Sequence, residues 1–201
     1  MKIKQGDAYD IHIKLTDGDG SLVSVDNNAE LVEFMLGRLR KTCPGEVEET
    51  ATKQWTGEGT FALLATEEYP QNQAVTGTGI ENKFSDGDVV DVILDDPSSV
   101  PYKARSRWSL KVVGEYYDDV RGEKYVVFST EAIGAFGPYG SFTQNMTIRS
   151  TEYVLPLSQQ DTFSLEGVVP FEARVKFADS QVVGTSLGAV VVEHSMSREV
   201  L

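Results

Sequence analysis

The run Phe171-Glu172-Ala173-Arg174-Val175-Lys176-Phe177 puts an apolar side chain at every odd position and a charged one at every even position. Successive side chains of an extended strand point to opposite faces, so this two-residue period describes a strand with one face on a core and the other in water. The same period recurs in Ile11, Ile13 and Leu15 against His12 and Lys14; Val32, Phe34 and Leu36 against Leu31, Glu33 and Met35 fit a strand covered on its Val/Phe/Leu face, and in residues 88–94 Val89, Asp91 and Ile93 alternate with Val90, Val92 and Leu94, a strand with both faces largely apolar. Residues 108–117 and 124–128 are rich in β-branched and aromatic types and flank a polar loop, the composition of a hairpin. Further strands are expected at 147–155, 182–183 and 189–193. A chain punctuated in this way is all-β, a β-sandwich or small barrel.

The punctuation itself is informative. Asp17-Gly18-Asp19-Gly20 favours a tight turn, predicting a hairpin from the first strand (within residues 3–15) into a strand over residues 22–25. Pro97 and Pro101 bracket another turn. Ser158-Gln159-Gln160-Asp161 has capping-box spacing, a hydroxyl with an acid three residues on, which predicts one short helical turn. From about residue 50 to 73 the texture shifts to Thr, Glu, Gln and Gly, followed by the Gly/Thr loop 76–79. This is expected to be the entrance to a second unit, with its exit through Gly134-Ala135-Phe136-Gly137-Pro138-Tyr139-Gly140.

A length of 201 residues accommodates one large domain or two small ones. One cysteine, Cys43, cannot close an intramolecular disulfide, and with two histidines it falls short of the four ligands of a structural zinc site. Residues 1–6 carry no apolar signal-type core, and no stretch approaches the roughly 20 apolar residues that span a bilayer. No membrane span and synthesis in the cytoplasm are expected. A formal net charge of −13 repels phosphate backbones, so nucleic acid is not an expected partner.

Both ends of the chain resemble a family of small β-rich proteins encoded in the structural-gene regions of phages and prophages of Gram-positive gut bacteria. The residues that carry the resemblance are Lys4-Gln5-Gly6-Asp7-Ala8-Tyr9-Asp10-Ile11, Val32-Glu33-Phe34, Leu39-Arg40-Lys41, Leu155-Pro156-Leu157-Ser158-Gln159-Gln160-Asp161-Thr162-Phe163, Pro170 through Phe177, and Glu193 through Leu201. More distantly, the opening is similar to the N-terminal β-sandwich of upper baseplate proteins. The resemblance covers about half of the chain and implies a virion role, with other virion proteins as partners and a homo-oligomeric state. Short members of the family join the two ends almost directly. Residues 1–50 and 148–201 are therefore expected to form one discontinuous host sandwich, with residues 51–147 inserted at a loop as a second β-rich domain.

Candidate sites are few. His12 and His194 are the natural proton carriers, but both fall on strands or strand ends as surface side chains, and no Gly-x-Ser-x-Gly elbow accompanies them. Asp17 and Asp19, and separately Asp86, Asp88, Asp91, Asp95 and Asp96, could offer oxygens to Ca²⁺. The twelfth position counted from Asp17 is Asn28, however, where an EF-hand loop needs Glu, and turn chemistry accounts for these acids. Carboxylate pairs suited to glycoside hydrolysis are a matter of spatial distance that sequence does not display. No catalytic residue, metal or cofactor is assigned, and a non-enzymatic protein is expected. Aromatics on loops can stack on sugars or anchor protein interfaces. Phe136 and Tyr139 are the candidates for contact with a host-surface glycan or protein; Trp108 is the third, although a strand also needs its volume for the core.

Overall fold

The computed structural model describes residues 1–18, 20–25, 29–99, 106–129, 141–179 and 181–194. Among them are β1 (Lys2–Lys4), β2 (Tyr9–Ile13), β3 (Ala29–Leu36), β4 (Leu39–Cys43), β5 (Glu48–Ala65), β6 (Pro70–Gly77), β7 (Val89–Leu94), β8 (Arg107–Asp118), β9 (Glu123–Phe128), β10 (Phe142–Leu157), α1 (Gln159–Phe163), β11 (Gly167–Phe177) and β12 (Val182–Glu193), with one 3-10 turn at Pro97–Ser99. The fold is all-β, and it divides into two compact units. One comprises Met1–Leu15, Val23–Thr50 and Glu152–Leu201; the other comprises Thr16–Leu22 and Ala51–Thr151.

The first unit is a sandwich. Its larger sheet has the order β1-β12-β11-β3-β4, with β11 antiparallel to both β12 and β3 and β1 parallel to β12. The facing layer is β2 paired with residues 153–157 of β10. The alternation of β11 decides the packing: Val169, Phe171, Ala173 and Val175 are buried, and they meet Phe34 and Leu36 of β3 and Tyr153, Leu155 and Leu157 of β10. The Phe34 and Tyr153 rings lie 5.3 Å apart. Tyr153 sends its hydroxyl to the Val23 carbonyl at 2.8 Å, so its burial leaves no unpaired donor. Each such side chain removed from water contributes about 1.5–3 kcal/mol before entropy is charged against it. Among the described residues, no member of this core comes from 51–151.

Six strands of the second unit close on themselves. The order β10-β5-β6-β9-β8-β7 is completed by an antiparallel β7–β10 pairing, Met146 opposite Leu94 through Arg149 opposite Asp91, so the sheet forms a barrel. Trp55, Phe61, Val75, Val92, Trp108, Leu110, Phe128, Met146 and Ile148 fill its interior. Gly57, Gly59 and Gly77 line the wall where the Trp55 indole lies, and a Cβ at any of them would approach that ring to 3.1 Å or less. Outside the barrel, the turn 16–22 docks through a polar relay. The Leu22 N–H donates to Ser109 Oγ at 3.2 Å, Ser109 donates to Asp91, and Arg107 donates to the other oxygen of Asp91. Asp91 is 0 % exposed and would be costly without these partners.

Several local expectations change. The first strand is two, broken at Gly6, whose φ of +86° suits glycine and whose open Cα lets the Phe163 ring approach to within 2.8 Å of where a Cβ would stand. Residues 22–25 do not form a strand; the turn closes with a single Thr16–Leu22 bridge and a Val23 N–H to Leu15 carbonyl bond. The stretch expected as an entrance is the 18-residue strand β5, and 182–193 is one strand with a bulge between the partners of Phe171 and Glu172. The boundaries also move. The insertion was expected at a loop over 51–147, whereas the divisions at 50/51 and 151/152 fall inside β5 and β10, and residues 16–22 join the barrel. A strand can serve two cores without a linker because its ladder hydrogen bonds continue regardless of which side chains are covered.

Candidate functional site

The outward row of the barrel crosses five strands. Thr143 of β10 shares a 2.7 Å hydrogen bond with Thr60 of β5; Thr60 stands opposite Thr76 of β6, Thr76 opposite Tyr125 of β9, and Tyr125 opposite Tyr116 of β8. Antiparallel register alone makes this row, because directly opposed residues lie on the same face of a sheet. To one side of it, Glu58, Glu81, Glu123 and Lys124 complete an open groove of about 350 Å³. To the other side, Ala62, Leu64, Ala74 and Val127 form a small apolar cluster with Tyr69, Val113, Tyr116 and Tyr125.

The groove's polarity is organised. Tyr125 donates its hydroxyl to Glu123 at 2.6 Å, which orients that carboxylate along the row. Burial and the hydrogen bond to Glu123 push the Tyr125 phenol above its ordinary range, and the Arg121 guanidinium works against them. The rings step across the face, Tyr125 to Tyr116 at 6.3 Å and Tyr116 to Tyr69 edge-on at 6.4 Å. Tyr69 lies over Gly114, where a Cβ would come within 2.4 Å of its hydroxyl. Three carboxylates, one ammonium and a row of threonine hydroxyls accept and donate many hydrogen bonds to a neutral polyhydroxylated ligand, and their net negative charge disfavours an anionic one.

The residues singled out from sequence do not converge on this groove. Phe136 and Tyr139 lie outside the described residues. Trp108 is 5 % exposed, opposite Val92 within the barrel core, and presents no surface for a ligand. His12 pairs with Glu152 at 2.6 Å, and His194 lies between Glu166 and Gln5 at 3.1 and 3.2 Å. Among the acids, Asp17 caps its own turn by accepting from the Ser21 N–H, Asp88 pairs with Lys53 and accepts from the Ser85 N–H, and Asp96 caps the turn at Ser98. Among the described residues, no group of three or more His, Cys, Asp or Glu is placed to hold a metal ion. No helix among them is long and apolar enough to cross a membrane.

The sequence did hold one signal for the groove, the alternation Glu58, Thr60 and Thr76, Thr78 around Gly57, Gly59 and Gly77. It lacks the apolar alternation of a strand because glycine, and not an apolar residue, occupies the inward positions. Comparison of the chain with protein families, with curated proteins and with solved structures finds no match.

Proposed function

We propose that this chain is a non-enzymatic structural subunit of a phage particle, made in the host cytoplasm and incorporated into a tail, baseplate or head appendage. In this reading the sandwich docks on other virion proteins and the barrel presents its polar face. The supporting observation is that described parts of the segments carrying the family resemblance, from both ends of the chain, meet in one unit. Gln5 donates to the carbonyls of Phe163 and Leu165, the Gly6 N–H donates to Thr162 Oγ1, and Lys41 donates to the Pro156 carbonyl and to Asp161. Motifs 115 to 160 residues apart in sequence thus specify a single local structure, as expected of a fold whose ends belong together and whose middle is an insertion. The test is mass spectrometry of purified particles from the phage or induced prophage that encodes the chain. Stoichiometric recovery supports the proposal, and absence from the particles overturns it.

The groove favours a second reading, in which the barrel binds a host-surface carbohydrate. Glycan-array binding abolished by Glu58→Gln with Glu123→Gln would place the ligand on the groove, whereas loss with Phe136→Ala or Tyr139→Ala would place it on the 134–140 loop. A protein that binds no glycan removes this reading and leaves the structural one.

A further inference from the structure

β12 has one side on β11, but among the described residues its other side is paired only at 191–193, where β1 joins it. Among the described residues no strand pairs with 182–190 on that side. Proteins ordinarily protect such an edge with charge, proline or a bulge. Here no charged residue and no proline stands between Asp179 and Glu193, and Val182 and Val183 are 62 % and 48 % exposed. A bulge is present, with Gly188 at φ +110°, so the flat part of the edge is confined to residues 182–186. Its centre is Gly184.

We propose that residues 182–186 pair antiparallel with the same edge of a second copy of this chain, about a two-fold axis at Gly184. Strand addition of this kind draws its affinity from main-chain hydrogen bonds and needs a partner strand without steric or charge conflict. A second copy meets that condition. Two chains of net charge −13 repel over most of their surfaces, yet this segment opposes no like charges when paired with itself. Val182 would face Ser186, Val183 would face Thr185, and the two glycines would face each other with no Cβ between the backbones. A five-residue ladder buries far less than the roughly 1,200 Å² of a standard interface, so the pair forms reversibly at high protein concentration. This inference does not depend on the virion proposal.

The experiment is sedimentation of the full chain across a concentration series, with Gly184→Lys and cysteine cross-linking as probes. A Cβ at Gly184 approaches only Glu172 Oε1, at 3.1 Å, and the backbone is not left-handed, so substitution there leaves the monomer folded. The wild type should show a reversible monomer–dimer equilibrium. Gly184→Lys places two ammonium groups side by side across the axis and should weaken it about tenfold or more, with an unchanged circular dichroism spectrum. Under mild oxidation Gly184→Cys should cross-link into a dimer, while Val168→Cys, 71 % exposed on the same sheet, should not; the native Cys43 is buried and silent. A chain that stays monomeric at every concentration, a dimer indifferent to Gly184→Lys, or cross-linking at 168 equal to that at 184 would each overturn the proposal.

Discussion

Gly77 lies so close to Trp55 that a methyl group on its Cα would stand 2.5 Å from the indole Cζ2. Trp55 also donates its Nε1–H to the Thr78 carbonyl at 3.0 Å, so the ring is held and cannot simply swing aside. Gly77→Ala should therefore cost about 1–3 kcal/mol through overpacking, and Trp55→Ala about 3–5 kcal/mol through the cavity it leaves. Urea unfolding with both variants and with the combined Gly77→Ala/Trp55→Ala checks this. The combined variant should lose less than the sum, and a Gly77→Ala protein as stable as wild type would refute the account.

The same pair explains what was legible in the sequence and what was not. β11 is plain because each of its inward positions carries its own apolar side chain. β5 is hidden because one indole does the filling for Gly57, Gly59 and Gly77, which erases the apolar alternation that announces a strand. β12 reads as two fragments because Gly184, Gly188 and a bulge interrupt it. The polar groove could not be read because cross-strand register brings Thr143, Thr60 and Thr76 together across 83 and 16 residues of chain, and register is a property of pairing that no local window contains. The capping box at Ser158, by contrast, is wholly local. Ser158 Oγ accepts from the Asp161 N–H, and the Asp161 carboxylate accepts from the Ser158 N–H, as its spacing predicts.

Asp91 carries the attachment of the 16–22 turn. Asp91→Ala should leave the Arg107 guanidinium, 11 % exposed, without its carboxylate and cost about 3–5 kcal/mol. Asp91→Leu/Arg107→Met should cost much less, since removing both charges leaves none stranded. A double-mutant cycle by chemical denaturation, with Asp91→Leu and Arg107→Met as its single variants, distinguishes the two. A loss in the double variant equal to the sum of the two single losses would show that the pair is not coupled.

Asp161 ties α1 to β4, with Lys41 Nζ 2.9 Å away. Partial burial works to raise its pKa, but hydrogen bonds from Lys41 and Ser158 outweigh it, and the carboxyl sits below its ordinary value. A group depressed in the folded state stabilises fully above its unfolded pKa, about 3.9, and that contribution is lost as pH falls through the lower folded value. The Tm difference between wild type and Asp161→Asn should thus be constant near neutrality and shrink below about pH 4. A difference that persists undiminished at pH 2 would contradict this assignment.

Among the described residues, the sandwich core draws nothing from 51–151. Thr52 Oγ1 lies 3.1 Å from the Ser150 carbonyl, so the two cut points are neighbours. Deleting 51–151, joining Thr50 to Glu152 through Asn-Gly and replacing Leu22 by Ser should leave a cooperatively folding β protein, because closure of so short a loop costs little. Dispersed amide resonances and a sigmoidal melt are the expected outcome. A molten or insoluble product at neutral pH would mean that the sandwich cannot stand without the barrel.

The junctions inside β5 and β10 impose an arithmetic on how this gene could change. On β10, even-numbered Met146 and Ile148 are barrel core while odd-numbered Tyr153, Leu155 and Leu157 are sandwich core, so the buried phase switches at Ser150–Thr151, both of them covered. One codon gained or lost near that switch would turn every downstream side chain to the wrong face. Exchange of the barrel for another module, by recombination or by design, is thereby restricted to replacements that re-enter the strand with the same parity.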